Sequence, residues 1–356
     1  MKKKMLTAIV ITACAMLAAC ATSGTAKSGG ADTTSSETGA STGTGGEAAA
    51  GTAETIHIKF GNTAGEEDIQ TIALRDVANR LSEESGGRIV AEVYSSSSLG
   101  DTDDLAEQAM QGAAILTVSD PSRLASFVPD YGMLQMPYIF DDYTGLDKVM
   151  KTEMYTKWER EFSDQGIWLV TSNWFSGTRN FCLNKEVNVP ADLAGQRIRT
   201  IGNDLCTSSI NAMGAVATPM SWSEVYTSIQ QKALDGAEVQ TPSFYATRLW
   251  EVTKYINKTE HFQLIGSVVT GTKFRDSLSA EDQELVARIF REVGTEYQEK
   301  CIAMSDDYEK EMVEKYGVIV NTNVDIQAFK DAADPVYDKL GYREVRDELM
   351  KQMNEN

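Results

Sequence analysis

GQRIRT at Gly195–Thr200, GAVATPMSWSEVYTSIQ at Gly214–Gln230 and LDGAEVQ at Leu234–Gln240 form the stretch on which the reading of this 356-residue chain turns. Gln196–Thr200 reads as a short strand that carries Arg199 near its C-terminal end, just before the Gly202-Asn203-Asp204 break. Open α/β sheets collect their ligands at that end of the strands. Ser221 and Glu224 stand at the Ser-x-x-Glu spacing of a capping box and predict a helix that opens after Pro219-Met220. A guanidinium stays charged at any working pH and grips a carboxylate through two parallel hydrogen bonds. Such a group beside a helix start predicts a site for a small organic anion.

Outward from this stretch, strand and helix patterns alternate. Thr55–Phe60 and Arg88–Tyr94 read as strands, and between them Ile69, Ile72, Val77 and Leu81 share a helical face that stops at Gly86-Gly87. A helix is expected over Leu105–Gln111, a buried strand over Ala113–Val118 and helices over roughly Tyr143–Gln165. Ile167–Thr171 and Thr178–Leu183 read as two further strands flanking Trp174 and Phe175. This rhythm predicts a parallel sheet with helices on both faces. From Ser279, apolar residues at three- and four-residue spacing predict a helix running to Tyr316. At 1.5 Å per residue it would be roughly 50 Å long, enough to lie across two lobes.

The N-terminus carries a targeting signal: Lys2-Lys3-Lys4, the apolar run Met5–Leu17, then Leu17-Ala18-Ala19-Cys20. The apolar run is too short for a permanent span, and the leucine and alanines before Cys20 match a bacterial lipoprotein signal, which predicts lipidation of Cys20. In Ala21–Ala53, 29 of 33 residues are Ser, Thr, Gly or Ala, with no large apolar residue to bury, so residues 21–53 are expected to be a flexible linker. The chain is thus expected outside the cytoplasm, lipid-anchored to the cell membrane.

Composition excludes several classes. Formal charge is −19, and without Lys2, Lys3 and Lys4 the chain has 30 basic and 52 acidic residues, a net −22. Such acidity argues against nucleic acid or an anionic membrane face as partner. Only His57 and His261 are present, which leaves little room for a histidine-based triad or a multi-histidine zinc site. Cys182, Cys206 and Cys301 have no metal-ligand spacing; a Cys182–Cys206 disulfide is conceivable, and buried thiols are the better expectation.

The motifs Val93–Asp101 (VYSSSSLGD), Met136–Phe140 (MPYIF), Ser176–Asn180 (SGTRN), Arg199 in GQRIRT, TPMSWSEVYTSIQ, Asp235-Gly236 before Glu238, and Glu251–Tyr255 (EVTKY) before Thr259-x-His261 occur in one order. Together they resemble the TRAP-type solute-binding proteins, a family that includes dicarboxylate and sialic acid binders, from about Ile56 to the C-terminus. The resemblance implies an α/β, two-lobed, periplasmic-binding-protein-like fold with a cleft between lobes and a long helix spanning both. Lobe I would hold residues 54–176 and about 265–304, and lobe II 177–264 and about 305–356. The implied partners are membrane permease subunits.

The same resemblance assigns site residues. Arg199 takes the position that pairs with the ligand carboxylate, and Arg179 that of a second ligand-facing arginine. Trp222 matches an aromatic that closes over the ligand, and Asp120 an acidic residue facing it. Thr63, with Asn62 beside it, matches a polar contact. Val239 stands where many members have asparagine, so the ligand of the sialic acid branch does not transfer, and Gln240 is the neighbouring candidate. The keto acid branch has Glu-Trp here with a bound cation; Glu238-Val239 lacks the tryptophan, so no metal or other cofactor is expected. An importer driven by ATP shares the two-lobed logic, and a secreted enzyme would need a nucleophile–base set that no spacing supplies. Sugar acids lead the expected ligands, with C4-dicarboxylates second.

Overall fold

Residues 55–141 and 143–355 are described by a computed structural model. The expected signal, Cys20 and the linker lie outside the described residues. No described helix is long and apolar enough to cross a membrane.

Alternation makes the first strand. In β1 (Ile56–Gly61) Ile58 and Phe60 are buried while His57 and Lys59 face solvent. Helix α1 (Ile69–Glu84) starts where Asp68 accepts from the Gln70 amide at 2.9 Å, and beyond it Gly86 and Gly87 take positive φ. Its buried stripe is Ile69, Ala73, Leu74, Val77 and Leu81, and Ile72, expected on that face, is 52% exposed. At 100° per residue Ile72 lies about 140° around the axis from Val77, which accounts for the difference. Strands β2 (Ile89–Tyr94) and β3 (Ile115–Ser119) pair parallel to β1, as the rhythm predicts.

The rest of the sheet corrects that expectation, because it is mixed. β4 (Ile167–Leu183) and β8 (Tyr255–Gly271) are each seventeen residues long and antiparallel to one another. β4 therefore joins the two strands expected at its ends. Its polar middle stays in the ladder because each polar group finds a partner: Tyr131 and Tyr155 hydroxyls lie 2.7 Å from Ser172 Oγ, and Asn173 Nδ2 donates to Arg291 O at 2.8 Å. β5 (Arg197–Thr200) runs parallel to both β6 (Val216–Pro219) and β7 (Gly236–Gln240), and β7 runs antiparallel to β4. The order is β2-β1-β3-β8-β4-β7-β5-β6, with the short β9 (Ile319–Asn321) added to β8.

The helix Ala280–Glu311 is 32 residues long, about 48 Å. Ser279 caps its start at the Asp282 amide, and one π-helical turn, Met312–Tyr316, ends it at Gly317. Val286, Ile289, Phe290, Val293 and Tyr297 pack into a core with Ile58, Phe60, Leu74 and Trp174; Met312 packs into another with Val225, Ile229, Val239 and Phe244. One helix thus serves two cores. A third core joins Tyr131, Trp158 and Phe162 to Ile198, Phe329 and Leu349. Cys182, Cys206 and Cys301 are free, buried thiols.

Candidate ligand-binding site

Strand ends converge on one cavity of about 120 Å³. Thr63 follows β1, Asp120 follows β3, Arg199 lies in β5 and Gln240 ends β7, while Ser176 and Arg179 come from the middle of β4 and Ile265 and Gly266 from β8. Helix starts add Asp68 before α1, and Asp101 and Thr102 at α2 (Thr102–Met110). The long helix supplies Tyr297, whose hydroxyl donates to Ser176 Oγ at 2.8 Å.

Three guanidiniums line this cavity, and their surroundings differ. Arg179 forms a buried ion pair with Glu238 and donates to the Glu238 carbonyl at 2.8 Å; Thr200 Oγ1 donates to the same carboxylate at 2.9 Å. Arg123 is held by Asp120 at 3.1 Å and by Asp103. Arg199 is 3% exposed, donates from Nε to Met220 O at 3.0 Å and lies 5.3 Å from the Trp222 ring centroid. It forms an ion pair with no described carboxylate. Burial pulls the Arg199 guanidinium down to about 10, with Arg179 adding to the effect and Glu238 opposing it.

The acids are tied into the walls. Asp68 accepts from the Gln70 amide and, at 3.3 Å, from Ser243 Oγ, and burial raises its carboxyl above the usual range. Gln240 Nε2 donates to the same Ser243 Oγ at 2.8 Å. Asp101 accepts from Ser221 Oγ at 2.7 Å. Burial acts to raise Asp101, but Ser221, the Thr102 amide and the charges of Arg123 and Arg199 together hold it below the usual range.

Of the residues expected from the sequence, Arg199, Arg179, Trp222, Asp120, Thr63 and Gln240 line the cavity. Asn62 and Val239 do not. Val239 is turned by the alternation of β7 into the apolar core with Val225 and Phe244, so it forms no wall of the ligand space. Asn62 is buried at the foot of β1, where Oδ1 accepts from Thr71 Oγ1 at 3.3 Å. The capping box is corrected too: Ser221 precedes a 3₁₀ turn, Trp222–Glu224, and its hydroxyl goes to Asp101 instead of capping. Asp120 spends its carboxylate on Arg123 and on the amide and side chain that open α3 (Pro121–Leu124). Asp68, Asp101, Arg123, Ser243 and Tyr297 were missed. Asp101 and Ser176 do sit inside quoted motifs, and Asp68 stands before a helix like any cap.

Among the described residues this arrangement places three guanidiniums and several polar side chains around one cavity at the strand ends of a shared sheet. It defines the class as a two-lobed α/β solute-binding protein. The comparisons with known proteins carry this further. Residues 60–344 match the family model DctP, bacterial extracellular solute-binding protein family 7, and the chain belongs to this family, the TRAP-type solute-binding proteins. It is 27% identical over 287 residues to the C4-dicarboxylate-binding periplasmic protein of Vibrio cholerae, covering 80% of this chain and 86% of that one. A TRAP solute-binding protein from Actinobacillus succinogenes with bound L-galactonate shares 30% identity at a TM-score of 0.78, over 84% of this chain and 100% of that one. One from Fusobacterium with bound sn-glycerol-3-phosphate shares 25% identity at a TM-score of 0.81, over 85% and 98%. These relatives are solute-binding transport proteins, not enzymes.

Proposed function

We propose that this chain is the extracytoplasmic capture component of a TRAP transporter, which takes up a small organic acid and delivers it to membrane permease subunits. The ligand is a sugar acid, an aldonate or a uronate. Arg199 carries the reading: a buried cavity guanidinium with no described carboxylate partner can pair with a ligand carboxylate. Trp222 covers that guanidinium and offers an apolar face to a polyol backbone. The hydroxyls and amide of Ser176, Ser243 and Gln240 supply partners for ligand hydroxyls. L-galactonate in the Actinobacillus protein supports the same class.

Lobe I, residues 54–176 and about 265–304, brings Asp68, Asp101, Asp120 and Arg123. Lobe II, residues 177–264 and about 305–356, brings Arg179, Arg199, Trp222 and Gln240. Closure of the two around the carboxylate is the capture step, and lipidation at Cys20 keeps the protein at the membrane surface. A C4-dicarboxylate is the second reading, favoured by the Vibrio relative. A thermal-shift panel of aldonates, uronates, succinate, malate, sn-glycerol 3-phosphate and neutral sugars tests the assignment, because a bound ligand raises the melting point by mass action. Sugar acids are expected to shift it with concentration. A shift by neutral sugars alone would refute the arginine argument.

A further inference from the structure

We propose that Asp68 sets the ligand class at this site, accepting hydroxyls of a monocarboxylate and turning away a second carboxylate. The inference rests on the capture function above and deepens it.

The charges on the cavity wall carry the first part. Arg179 is matched by Glu238, and Arg123 by Asp103 and Asp120. Of the three, Arg199 alone forms no ion pair among the described residues, so it is the one guanidinium open to a ligand carboxylate. A second anionic group on the ligand would meet guanidiniums already engaged, or the carboxylates engaging them.

Asp68 carries the second part. It lines the cavity and is only 4% exposed. No described cation forms an ion pair with it. Its hydrogen-bond partners are the Gln70 amide at 2.9 Å and Ser243 Oγ at 3.3 Å, and Gln240 Nε2 backs Ser243 at 2.8 Å. Burial raises the carboxyl, opposed only by those two hydrogen bonds, with no cationic side chain contributing. A ligand hydroxyl can donate to this carboxylate, whereas a ligand carboxylate beside it meets a like charge that no described cation pairs.

Two calorimetric comparisons test the proposal. In the wild type, an aldonate is measured against the aldarate of the same carbon skeleton, which differs only in a second terminal carboxylate. The aldonate is expected to bind at least about tenfold tighter. In Asp68→Asn, which keeps a good helix cap, that ratio is expected to fall about tenfold or more, through weaker aldonate and stronger aldarate and succinate binding. An aldarate that binds the wild type as tightly as the aldonate overturns the proposal whatever the variant does, and so does a ratio unchanged in a folded Asp68→Asn protein. Arg199→Ala separates the two readings. If it abolishes binding while Asp68→Asn leaves the aldonate-to-aldarate ratio unchanged, capture at Arg199 stands and Asp68 is not the selector. If it binds like the wild type, the capture reading itself fails.

Discussion

Replacing Arg199 with alanine should uncouple binding from stability. Burial and the neighbouring Arg179 pull its guanidinium down to about 10, which corresponds to about 3 kcal/mol against the charged form in the free protein. Truncation removes that penalty together with the Nε–Met220 bond and the stem beneath Trp222, which contribute about 1–2 kcal/mol. These terms oppose one another and differ by about 1–2 kcal/mol, so the free variant should melt within several degrees of the wild type. Binding should behave differently. Losing one partner of a desolvated charge pair costs about 2–5 kcal/mol, roughly 30- to several-thousand-fold in affinity. Arg199→Lys should recover little of it, since an ammonium lacks the bidentate fork. Arg179→Ala offers the contrast, because it strands Glu238, which is fully buried, and should destabilise the free protein by about 3–5 kcal/mol. Titration calorimetry with the best ligand of the panel and scanning calorimetry of the free variants measure both quantities. Near-wild-type affinity for Arg199→Ala, or a loss of stability as large as that of Arg179→Ala, would refute the reasoning.

Three more outcomes are expected. Ser221→Ala removes the donor to Asp101 and should speed ligand release several-fold in stopped-flow experiments, with Ser221→Thr restoring the wild-type rate. His261 is buried against Phe181, with Nδ1 2.9 Å from Thr259 Oγ1 and Nε2 4.0 Å from Glu238; burial, then the charge of Arg179, holds it well below 6.5. The unfolded chain therefore binds a proton that the fold refuses. Stability should decline as pH falls below about 6.5, by at most about 1.4 kcal/mol per unit from this group, and His261→Gln should flatten that slope between pH 7 and 5.5. Cys20→Ser should abolish fatty-acid labelling and release the protein from the membrane fraction, and a wild type without lipid would end the tether proposal.

Strand-end chemistry made much of the cavity readable in advance. Arg199, Asp120, Thr63 and Gln240 occupy the ends of separate strands, and ligands of open sheets gather there. What stayed hidden depends on partners distant in the chain. The polar middle of β4 reads as a break until Tyr131 and Arg291 are seen satisfying Ser172 and Asn173. Ser221 has the spacing of a cap, yet Asp101, 120 residues earlier, takes its hydroxyl. Asp68 and Asp101 look like ordinary caps because each is one, and only the folded chain shows that the same residues also line the cavity. Val239 could be placed by alternation alone once the direction of Glu238 was known.

β4 and β8 each run seventeen residues without a break, so the proposed closure would bend a flexure instead of swinging on a pin. A pin swings freely and needs a stop, whereas a ribbon of two hydrogen-bonded leaves, each about 55 Å long, resists bending and springs back. Its ladder changes register between Leu169 and Thr171, Thr171 and Trp174, Phe175 and Thr178, and Arg179 and Phe181, where the pairing is interrupted. The long helix lies directly on this section: a β-carbon at Gly294 would fall 2.5 Å from Asn173 Oδ1 and 2.7 Å from the Trp174 ring. A single methyl group there would act as a shim under the spring, forcing the long helix and β4 apart at the point where both also supply the cavity with Tyr297 and Ser176.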